Sequence, residues 1–314
     1  MNTAQQRGRP IHRILVTGGA GFIGSHSVDL LLAQGKEVVV LDNLSSGKLD
    51  NLNLQHPDVE FIEGDVLEYP FLEELVSSCD AVLHLAALVS VPASIEHPIF
   101  SFQVNTQGFL HVLQAAHKAP HPVRVVHASS AAVYGNITEF PCREDLPLSS
   151  AALSPYALQK IHTEDYAKLY LLLHGIKSLS LRYFNVYGSR QDPSSPYSGV
   201  ISRFINAYKK GEQLSVYGDG MQSRDFIHVS DVARANWLAL ENDYTGALNI
   251  ATGKPTTLLQ VIEYLNIGRE AAKVQFLPPR TGDIRESYAA TQMAEKHIGF
   301  KASIPPKQGL INDW

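Results

Sequence analysis

The sequence predicts an α/β fold, in which a doubly wound parallel sheet is covered by helices on both faces. Three observations carry this prediction. Short apolar runs, many of them β-branched, recur through the first half of the 314 residues. Longer stretches with apolar residues at helical spacing lie between these runs, and glycine and proline mark the boundaries. The runs are apolar almost throughout, as strands buried on both faces of a parallel sheet must be.

Strands and helices are predicted to alternate from the start of the chain to about residue 182. The predicted strands are 14–16, 37–41, 59–62, 81–85, 123–127 and 178–182. The predicted helices are 22–33, 71–77, 98–119 and 155–174. Beyond Arg182, proline and glycine become frequent and the elements shorten, so we place a domain change there. We expect residues 1–182 to form the first domain and residues 183–314 to form mainly a smaller α/β domain, with segments near 229–252 returning to the first.

Composition and charge exclude several classes of protein. The chain has 26 basic and 31 acidic residues, a net charge of −5, and so lacks the positive field that binding to a nucleic acid requires. Only two cysteines, Cys79 and Cys142, are present, which excludes a disulfide framework and favours a reducing compartment. No apolar segment has the length of a secretory signal or a membrane span, so we expect a cytoplasmic protein without membrane contact.

The turn after the first predicted strand carries glycines at positions 18, 21 and 24. This spacing is typical of the dinucleotide-binding turn of a Rossmann-type sheet. Gly18 would make the tight turn, Gly21 would let the backbone approach a pyrophosphate, and Gly24 would let the helix pack closely on the sheet. The helix that begins at Phe22 adds amides and a partial positive charge for the phosphates. Taken alone, the spacing also fits a simple tight turn.

Asp42 sharpens this interpretation, because it ends the second predicted strand. A carboxylate there accepts hydrogen bonds from an adenosine ribose and disfavours the 2′-phosphate of NADP, so we expect NAD as cofactor. The alternative is a turn-forming aspartate before Asn43. Asp65 follows the third predicted strand and is a candidate for the adenine edge, although a solvated loop carboxylate fits its position equally well.

Tyr156 and Lys160 stand at positions i and i+4 of a predicted helix, so their side chains share one face. A cation there favours the phenolate, and we expect it to lower the pKa of Tyr156 from its ordinary value near 10. A phenolate that forms near neutral pH can take and return a hydroxyl proton. Because the chain holds 13 tyrosines, such a pair also arises by chance, and its position decides its meaning.

The position of two serines supports a catalytic interpretation of this pair. Ser129 and Ser130 are predicted to follow the carboxyl end of strand 123–127, where open α/β sheets bind their ligands. We expect Ser130 to hydrogen-bond a substrate hydroxyl while Tyr156 moves its proton. Without the tyrosine–lysine pair, the two serines would be interpreted as a polar turn.

Motifs along almost the whole chain match one known family. They are TGGAGFIG at 17–24, LDN at 41–43, HLAA at 84–87, SSAAVYG at 129–135, Tyr156 with Lys160, LRYFNVYG at 181–188 and YGDGMQSRDFIHV at 217–229. With these motifs the chain resembles the extended short-chain dehydrogenase/reductases. More closely, it is similar to the nucleotide-sugar epimerases of the UDP-galactose 4-epimerase type, from Ile11 to the C-terminus.

The resemblance implies an enzyme that binds NAD and a UDP-sugar. Tyr156 would act as base on the sugar 4-hydroxyl, helped by Ser130 and Lys160. Hydride would pass from C4 to NAD, the 4-keto sugar would turn over, and hydride would return to its opposite face. The cofactor-binding residues expected from the motifs and the resemblance are Gly18, Gly21, Phe22, Ile23, Gly24, Asp42, Asn43, Asp65, Val66, Leu85, Ala86, Ala87, Asn105, Ser129, Tyr156, Lys160 and Tyr183.

The resemblance also implies how the UDP-sugar is held. Arg224 and Arg280 would grip the diphosphate, Tyr217 would lie near the uracil and Asp283 near the nucleotide ribose. Asn185 would lie near the sugar and phosphates. The full set of expected substrate-binding residues is Val89, Ser90, Ser130, Tyr156, Asn185, Val200, Tyr217, Arg224, Arg280, Asp283 and Ser287.

Two positions separate the subtypes of this family. Related dehydratases carry Asp-Glu, and nucleotide-sugar decarboxylases carry Glu, where this chain has Ala131 and Ala132. Since alanine cannot donate a proton, dehydration and decarboxylation are disfavoured. At the position where a Tyr closes the pocket of strict hexose epimerases, this chain has Ser287. The smaller side chain leaves room for an acetamido group, and Val89, where hexose enzymes tend to have Lys, also resembles the N-acetyl-preferring enzymes.

We therefore expect a 4-epimerase of UDP-GlcNAc and UDP-GalNAc that also accepts UDP-Glc and UDP-Gal. A UDP-uronic acid 4-epimerase or another nucleotide-sugar oxidoreductase of the same scaffold, such as a ketosugar reductase, is the alternative. A non-catalytic NAD-binding regulator is disfavoured, because Ser130, Tyr156 and Lys160 are all retained. The 13 histidines show no metal-ligand spacing, so we expect no metal. The apolar positions of Phe100–Ala116 and Tyr166–Leu173 are core residues or, as in related enzymes, form a homodimer through a four-helix bundle.

Overall fold

The structure is a computed structural model that describes residues 10–148, 152–193, 199–279 and 284–313. The strands in chain order are β1 (Arg13–Thr17), β2 (Glu37–Asp42), β3 (Val59–Glu63), β4 (Ala81–His84), β5 (Arg124–Ser130), β6 (Ser178–Tyr183), β7 (Asn185–Tyr187), β8 (Leu214–Tyr217), β9 (Ser223–His228), β10 (Gly246–Ile250), β11 (Pro255–Thr257) and β12 (Val274–Leu277). The α-helices are α1 (Phe22–Ala33), α2 (Tyr69–Ser77), α3 (Val91–Glu96), α4 (Pro98–Phe102), α5 (Gly108–Lys118), α6 (Pro155–His174), α7 (Val200–Lys209), α8 (Val229–Leu240), α9 (Leu258–Leu265), α10 (Gln292–Ile298) and α11 (Pro306–Asn312).

Seven strands form one parallel sheet in the order β3–β2–β1–β4–β5–β6–β10. Its central strands are buried at nearly every position, because helices cover both faces. The strand order reverses between β1 and β4, and the connections that leave these two strands diverge. Such a switch point leaves a ligand-binding crevice at the carboxyl ends of the strands. The predicted fold class, a Rossmann-type α/β sheet, is confirmed.

The six predicted strands are present, with one difference that concerns the site. Strand β5 runs on through Ser130, so Ser129 and Ser130 are its last two residues and do not follow it as predicted. The reason is pairing with β6: Ser129 stands opposite Arg182, and Ser130 opposite Tyr183. The ladder therefore fixes the backbone of both serines.

Helix α6 has the predicted bounds, whereas the predicted helix 98–119 is not continuous. It consists of α4 and α5, joined by the π-helical turn Gln103–Gln107. The wider turn carries Asn105, whose side-chain amide donates to Leu88 O at 3.1 Å and to Gln159 Oε1 at 2.8 Å. A single π turn is a local insertion in an otherwise α-helical repeat, so apolar periodicity does not reveal it.

The part of the chain beyond β6 builds two smaller sheets, β11–β9–β7 and β12–β8. An apolar cluster separate from the large sheet packs beneath them, with Phe204, Leu214 and Phe226 among its buried members. In contrast, β10 pairs with β6 as the last strand of the large sheet. Helix α8 packs against α1 and against strands of the same sheet. The division into two domains stays a prediction. Within the described residues, none of the helices combines the length and apolarity that a membrane span requires.

Candidate active site

The carboxyl ends of the parallel strands bring most of the predicted site residues to one edge of the large sheet. Strand β1 ends at Thr17, β2 at Asp42, β4 at His84, β5 at Ser130 and β6 at Tyr183. The segments that follow these residues line the crevice at the switch point. The predicted cofactor site and the predicted catalytic group therefore lie at the same edge of the sheet.

Of the three regularly spaced glycines of the turn, Gly18 and Gly24 are required by the packing of the protein, whereas Gly21 is not. A Cβ on Gly18, whose φ is 71°, would lie 2.7 Å from Ala86 N, and one on Gly24 would lie 2.1 Å from Gly18 O. A Cβ on Gly21 would meet only Gly18 O, at 3.2 Å. Gly21 is also the N-cap of α1 and has no side-chain capping bond. An uncapped helix start behind a glycine suits a phosphate, so the turn fits a dinucleotide.

Asp42 is buried beside this turn. Its Oδ2 accepts a hydrogen bond from Ala20 N and its Oδ1 accepts one from Leu44 N, both at 2.9 Å. Burial raises the pKa of Asp42, and these two amide bonds oppose the shift. The bond from Leu44 N makes an Asx turn, so Asp42 is also the turn-forming aspartate of the alternative interpretation. Each oxygen keeps a further lone pair, so the ribose contact stays a prediction that this turn does not exclude.

Asp65 is held at the end of the neighbouring strand. Asn43 Nδ2 donates to its Oδ2, and Leu67 N donates to its Oδ1, both at 2.9 Å. The next residue, Val66, is 4% exposed and packs against Gly108, where a Cβ would lie 2.8 Å from Val66 Cγ2. These contacts fix the position of the loop, whereas the predicted adenine contact of Asp65 stays a prediction.

The segment after β4 packs directly on the glycine turn. Leu85 N donates to Thr17 O at 3.0 Å, and Ala86 N donates to Thr17 Oγ1 at 3.3 Å. The same hydroxyl hydrogen-bonds the Nδ1 of buried His84 at 2.8 Å. These bonds fix Leu85 and Ala86 beside the glycine turn, and the predicted cofactor contacts of Leu85, Ala86 and Ala87 stay predictions.

Asn105 is buried behind the segment that follows β4. It is 1% exposed, its Oδ1 accepts from Leu88 N at 2.8 Å, and its amide hydrogens bond Leu88 O and Gln159 Oε1. The residue thus anchors the segment that follows β4 to the π turn and α6, and its predicted cofactor contact stays a prediction.

The predicted catalytic group is assembled at the start of α6. Tyr156 and Lys160 are 7% and 4% exposed. Lys160 Nζ donates to Ala128 O at 2.8 Å and lies 5.9 Å from the centroid of the Tyr156 ring. The side chain of Ser130 hydrogen-bonds that of Tyr156, and its Oγ accepts from Ala132 N at 3.1 Å. Three residues separated along the chain thus meet at the edge of the sheet.

Burial dominates the protonation of this group. It raises the pKa of Tyr156, and it lowers the pKa of Lys160 to about 8. The expected net lowering of the Tyr156 pKa is therefore wrong for the protein alone, because desolvation outweighs the groups that favour the phenolate. The cost of desolvating a phenolate exceeds the opposing effect of the bond from Ser130, and the ammonium is directed at the Ala128 carbonyl. Near neutral pH Tyr156 holds its proton and Lys160 its charge.

Two predicted cofactor residues direct their hydroxyls into the protein. Ser129 Oγ donates to Glu164 Oε1 at 2.6 Å, and the Tyr183 hydroxyl donates to Asn236 Oδ1 at 2.6 Å. Both residues are buried. Neither hydroxyl hydrogen is left for the cofactor, so the predicted contacts of Ser129 and Tyr183 are restricted to their other atoms.

A buried ion pair behind the catalytic group was not predicted from the motifs. Arg182 and Glu164 are 3% and 1% exposed at their side chains and approach to 2.7 Å. Arg182 also donates to the Tyr134 hydroxyl, which in turn donates to Asn249 Oδ1 at 2.6 Å. The sequence signal was available: Glu164 stands one helical turn after Lys160 on the buried face, where a carboxylate requires a partner.

Three of the predicted substrate residues, Asn185, Tyr217 and Arg224, lie on the smaller sheets. Asn185 opens β7 and is exposed, Val200 begins α7, and Tyr217 ends β8. Val89 is 64% exposed, whereas Ser90 is buried and caps α3 by accepting from Ala93 N. That cap uses an acceptor site of the Ser90 hydroxyl and leaves its hydrogen available.

Arg224 lies on β9 and holds the segment that follows the Arg280 motif. Its guanidinium donates to Ser223 O at 2.8 Å and to Ile284 O at 2.7 Å. Arg280 and Asp283 lie outside the described residues. The predicted diphosphate grip therefore stays a prediction for both arginines.

Ser287 belongs to a short segment whose backbone is held from several sides. Cys142 N donates to Tyr288 O and Ala290 N donates to Cys142 O, both at 2.9 Å. On the far side, Ala289 N donates to Asp225 Oδ2 at 3.3 Å. These bonds hold residues 288–290 next to Ser287, whose predicted contact with the substrate stays a prediction.

Comparisons with known proteins place these features in a family. Residues 14–251 match the NAD dependent epimerase/dehydratase family. A UDP-N-acetylglucosamine 4-epimerase from Methanobrevibacter ruminantium M1, solved in complex with UDP-N-acetylmuramic acid, superposes with a TM-score of 0.91 at 39% identity, covering 97% of both chains. A UDP-glucose 4-epimerase of Mycolicibacterium smegmatis is 36% identical over 305 residues, which are 95% of this chain and 96% of the relative.

A relative with another printed activity also matches. The UDP-N-acetyl-alpha-D-glucosaminuronate decarboxylase of Bacillus cytotoxicus is 35% identical over 272 residues, which are 85% of this chain and 83% of that protein. Overall similarity alone therefore does not separate epimerisation from decarboxylation, and the residues of the site must do so.

Proposed function

Because this chain belongs to the NAD dependent epimerase/dehydratase family, we propose that the enzyme is a UDP-sugar 4-epimerase. It interconverts UDP-GlcNAc with UDP-GalNAc and also accepts UDP-Glc and UDP-Gal. One observation carries the proposal. Buried Tyr156 and Lys160 and half-buried Ser130 form a group at the same sheet edge as a glycine turn that fits a dinucleotide. This is the arrangement that proton transfer coupled to hydride transfer requires.

The residues of the chain divide the work between proton transfer and positioning. NAD, when bound, supplies the acceptor for the hydride of C4 and a cationic ring that favours a nearby phenolate. Tyr156 takes the proton of the sugar 4-hydroxyl and returns it after the sugar has turned. Ser130 orients that hydroxyl, and Lys160 keeps a positive charge beneath the phenol. Since Tyr156 and Lys160 are buried and Ser130 is half-buried, the group limits the access of water to the ketone that forms in between.

The residues beside the catalytic group favour epimerisation over related reactions. Ala131 and Ala132 follow Ser130 in a short 3₁₀ turn, and neither side chain can exchange a proton. Loss of water or of a carboxylate would need an acid or a charge-stabilising group at this place. We therefore disfavour dehydration and decarboxylation, although relatives with decarboxylase activity share the fold.

The direct test is the identity of the products. The purified enzyme is incubated separately with UDP-Glc, UDP-GlcNAc and UDP-GlcA, without added reductant, and the C4 epimers are identified by NMR. We expect epimers from the N-acetylated and plain hexoses. Formation of a C4 epimer from UDP-GlcA alone would favour the uronic acid epimerase, and stoichiometric release of NADH would favour a ketosugar reductase.

The alkaline limb of the pH profile should report Lys160. Because its pKa is lowered to about 8 by burial, the ammonium loses its proton as pH rises through that value. We expect kcat to fall over the same range, since the phenolate then loses the cation beneath it. A kcat profile that stays flat to pH 10 would contradict the role given to Lys160.

We also propose that the enzyme is a homodimer in which α6 and the α3–α4 segment pack against their copies. Ile99 on α4 and Leu172 on α6 are 77% and 81% exposed, and further apolar side chains are exposed on both elements. Analytical ultracentrifugation should show a dimer for the wild type. The double variant Ile99→Lys with Leu172→Lys should be a monomer. Phe276→Lys, which charges an exposed apolar residue on β12, should leave the dimer intact. A wild-type monomer would contradict the proposal.

The cytoplasmic location stays a prediction.

A further inference from the structure

The segment Gly188–Pro193, which we call the strap, leaves β7 and reaches across to the cofactor side of the molecule. It begins at Gly188, whose φ is 147° and where a Cβ would lie 2.5 Å from Val229 Cγ1. Only glycine permits this turn against α8. None of the roles assigned to the site above uses the strap.

The strap is anchored to elements that carry predicted substrate residues. Gln191 Nε2 donates to Val186 O of β7 at 3.3 Å. The hydroxyl of Ser202, which is 6% exposed on α7, donates to Gln191 Oε1. One side chain in the middle of the strap therefore joins it to the strand that Asn185 opens and to the helix that Val200 begins.

On its other side the strap is tied to α1 at two points. His26 Nε2 hydrogen-bonds Ser189 O at 3.0 Å. Arg190 NH2 lies 2.8 Å from Asp29 Oδ2. Both partners lie on the helix whose N-terminus follows the glycine turn, so the strap runs beside the proposed phosphate site.

A third tie reaches the loop that follows β2. Lys48 Nζ lies 3.1 Å from Asp192 Oδ2. The backbone of Lys48 is itself held to the glycine turn, because its amide donates to Ala20 O at 3.0 Å. In the same loop, a Cβ on Gly47 would lie 3.0 Å from Asp42 Oδ1. The loop thus forms one wall of the predicted cofactor site, beside Asp42, and the start of α1 forms another.

We propose that the strap is a cofactor-retention element, in which Asp29, Arg190, Lys48 and Asp192 hold the two walls of the NAD site together from the substrate side. The inference rests on the proposed function, since a 4-epimerase must return hydride to the sugar from which it came. A cofactor that left between the two transfers would strand a 4-keto sugar and carry the hydride away as NADH. Asp29 and Asp192 are positioning residues, because they act through Arg190 and Lys48.

The test removes the charges of the strap ties without touching the predicted cofactor contacts. The double variant Asp29→Asn with Asp192→Asn is loaded with labelled NAD and desalted to remove the excess. Unlabelled NAD is then added, and the rate at which labelled NAD is released is measured. Exposed ion pairs are individually weak, so loss of two should speed release by about fivefold. Because salt screens such pairs, raising the ionic strength should speed release from the wild type more than from the variant.

A matched control carries the same change of charge elsewhere. Glu73 and Asp243 form ion pairs of 3.1 Å with Lys118 and Lys177, away from the strap. Glu73→Gln with Asp243→Asn should release NAD at the wild-type rate. An unchanged rate in the strap variant, or equal acceleration in the control, would overturn the proposal.

The release rates also separate this inference from the proposed function. They are measured with NAD alone, so faster release from the strap variant would support the strap even if the wild type forms no epimer. Conversely, an active epimerase whose strap variant releases NAD at the wild-type rate would retain its function and lose this account of cofactor retention.

Discussion

Tyr156→Phe should lower kcat for epimerisation by about 10³-fold and leave NAD bound. The substitution removes only the hydroxyl that takes and returns the proton of the sugar, and general acid–base groups contribute on this scale. The ring, which is 7% exposed and packs above Lys160, is kept. Turnover of UDP-GlcNAc and the NAD content of the purified protein are measured side by side.

A second tyrosine on the same helix provides the control for Tyr156. The Tyr170 hydroxyl donates to Gln114 Oε1 at 2.9 Å, and it lies on α6 well beyond the catalytic turns. Tyr170→Phe should retain the wild-type kcat. A Tyr156→Phe enzyme that keeps most of its activity would show that another group moves the proton.

Ser287→Tyr should suppress the reaction of UDP-GlcNAc by about 100-fold in kcat/KM and change that of UDP-Glc only a few-fold. The backbone next to Ser287 is held by Cys142 and Asp225, so we expect the larger side chain to add volume there instead of displacing the segment. That volume is the space in which we expect the acetamido group to lie.

The discrimination between the two sugars is the decisive quantity for Ser287. Ser287→Ala, which keeps the small volume and removes the hydroxyl, should accept both sugars as the wild type does. Equal loss of both activities in Ser287→Tyr would point to a damaged site, and equal retention would remove the basis for the N-acetylated substrates.

Local patterns predicted the parts of the structure that local chemistry determines. The apolar runs of the large sheet, the glycine turn and helix α6 all follow from neighbouring residues. Helix α6 is a good example, since Ser154 caps it by accepting from Ala157 N, and Gly175 ends it with a φ of 71°. These signals are read within a few positions of the chain.

The structure adds what depends on contacts between distant residues. The direction of the Ser129 hydroxyl depends on Glu164, and the amide of Asn105 is taken up by Leu88 and Gln159. The rise in the Tyr156 pKa depends on how completely the fold buries the phenol. Spacing along the chain cannot predict these features, because each depends on which partners the fold brings within a few ångströms.

The strap is the clearest case of this kind. From the sequence alone, Arg190 and Asp192 would be interpreted as ordinary surface charges, since isolated charged residues are usually exposed. Their partners Asp29 and Lys48 lie far away along the chain, on the first helix and the loop after the second strand. Only the fold, which brings the strap beside α1 and the loop after β2, forms the two ion pairs.

The fate of the hydrogen at C4 tests the central claim most directly. UDP-GlcNAc that carries deuterium at C4 is incubated with the purified enzyme without added NAD or reductant, and the products are analysed by NMR and mass spectrometry. Since we propose that the hydride leaves C4 and returns to it within one binding event, UDP-GalNAc should form with the deuterium still at C4 and without release of NADH. Loss of the deuterium to solvent, or a product other than the C4 epimer, would contradict this mechanism.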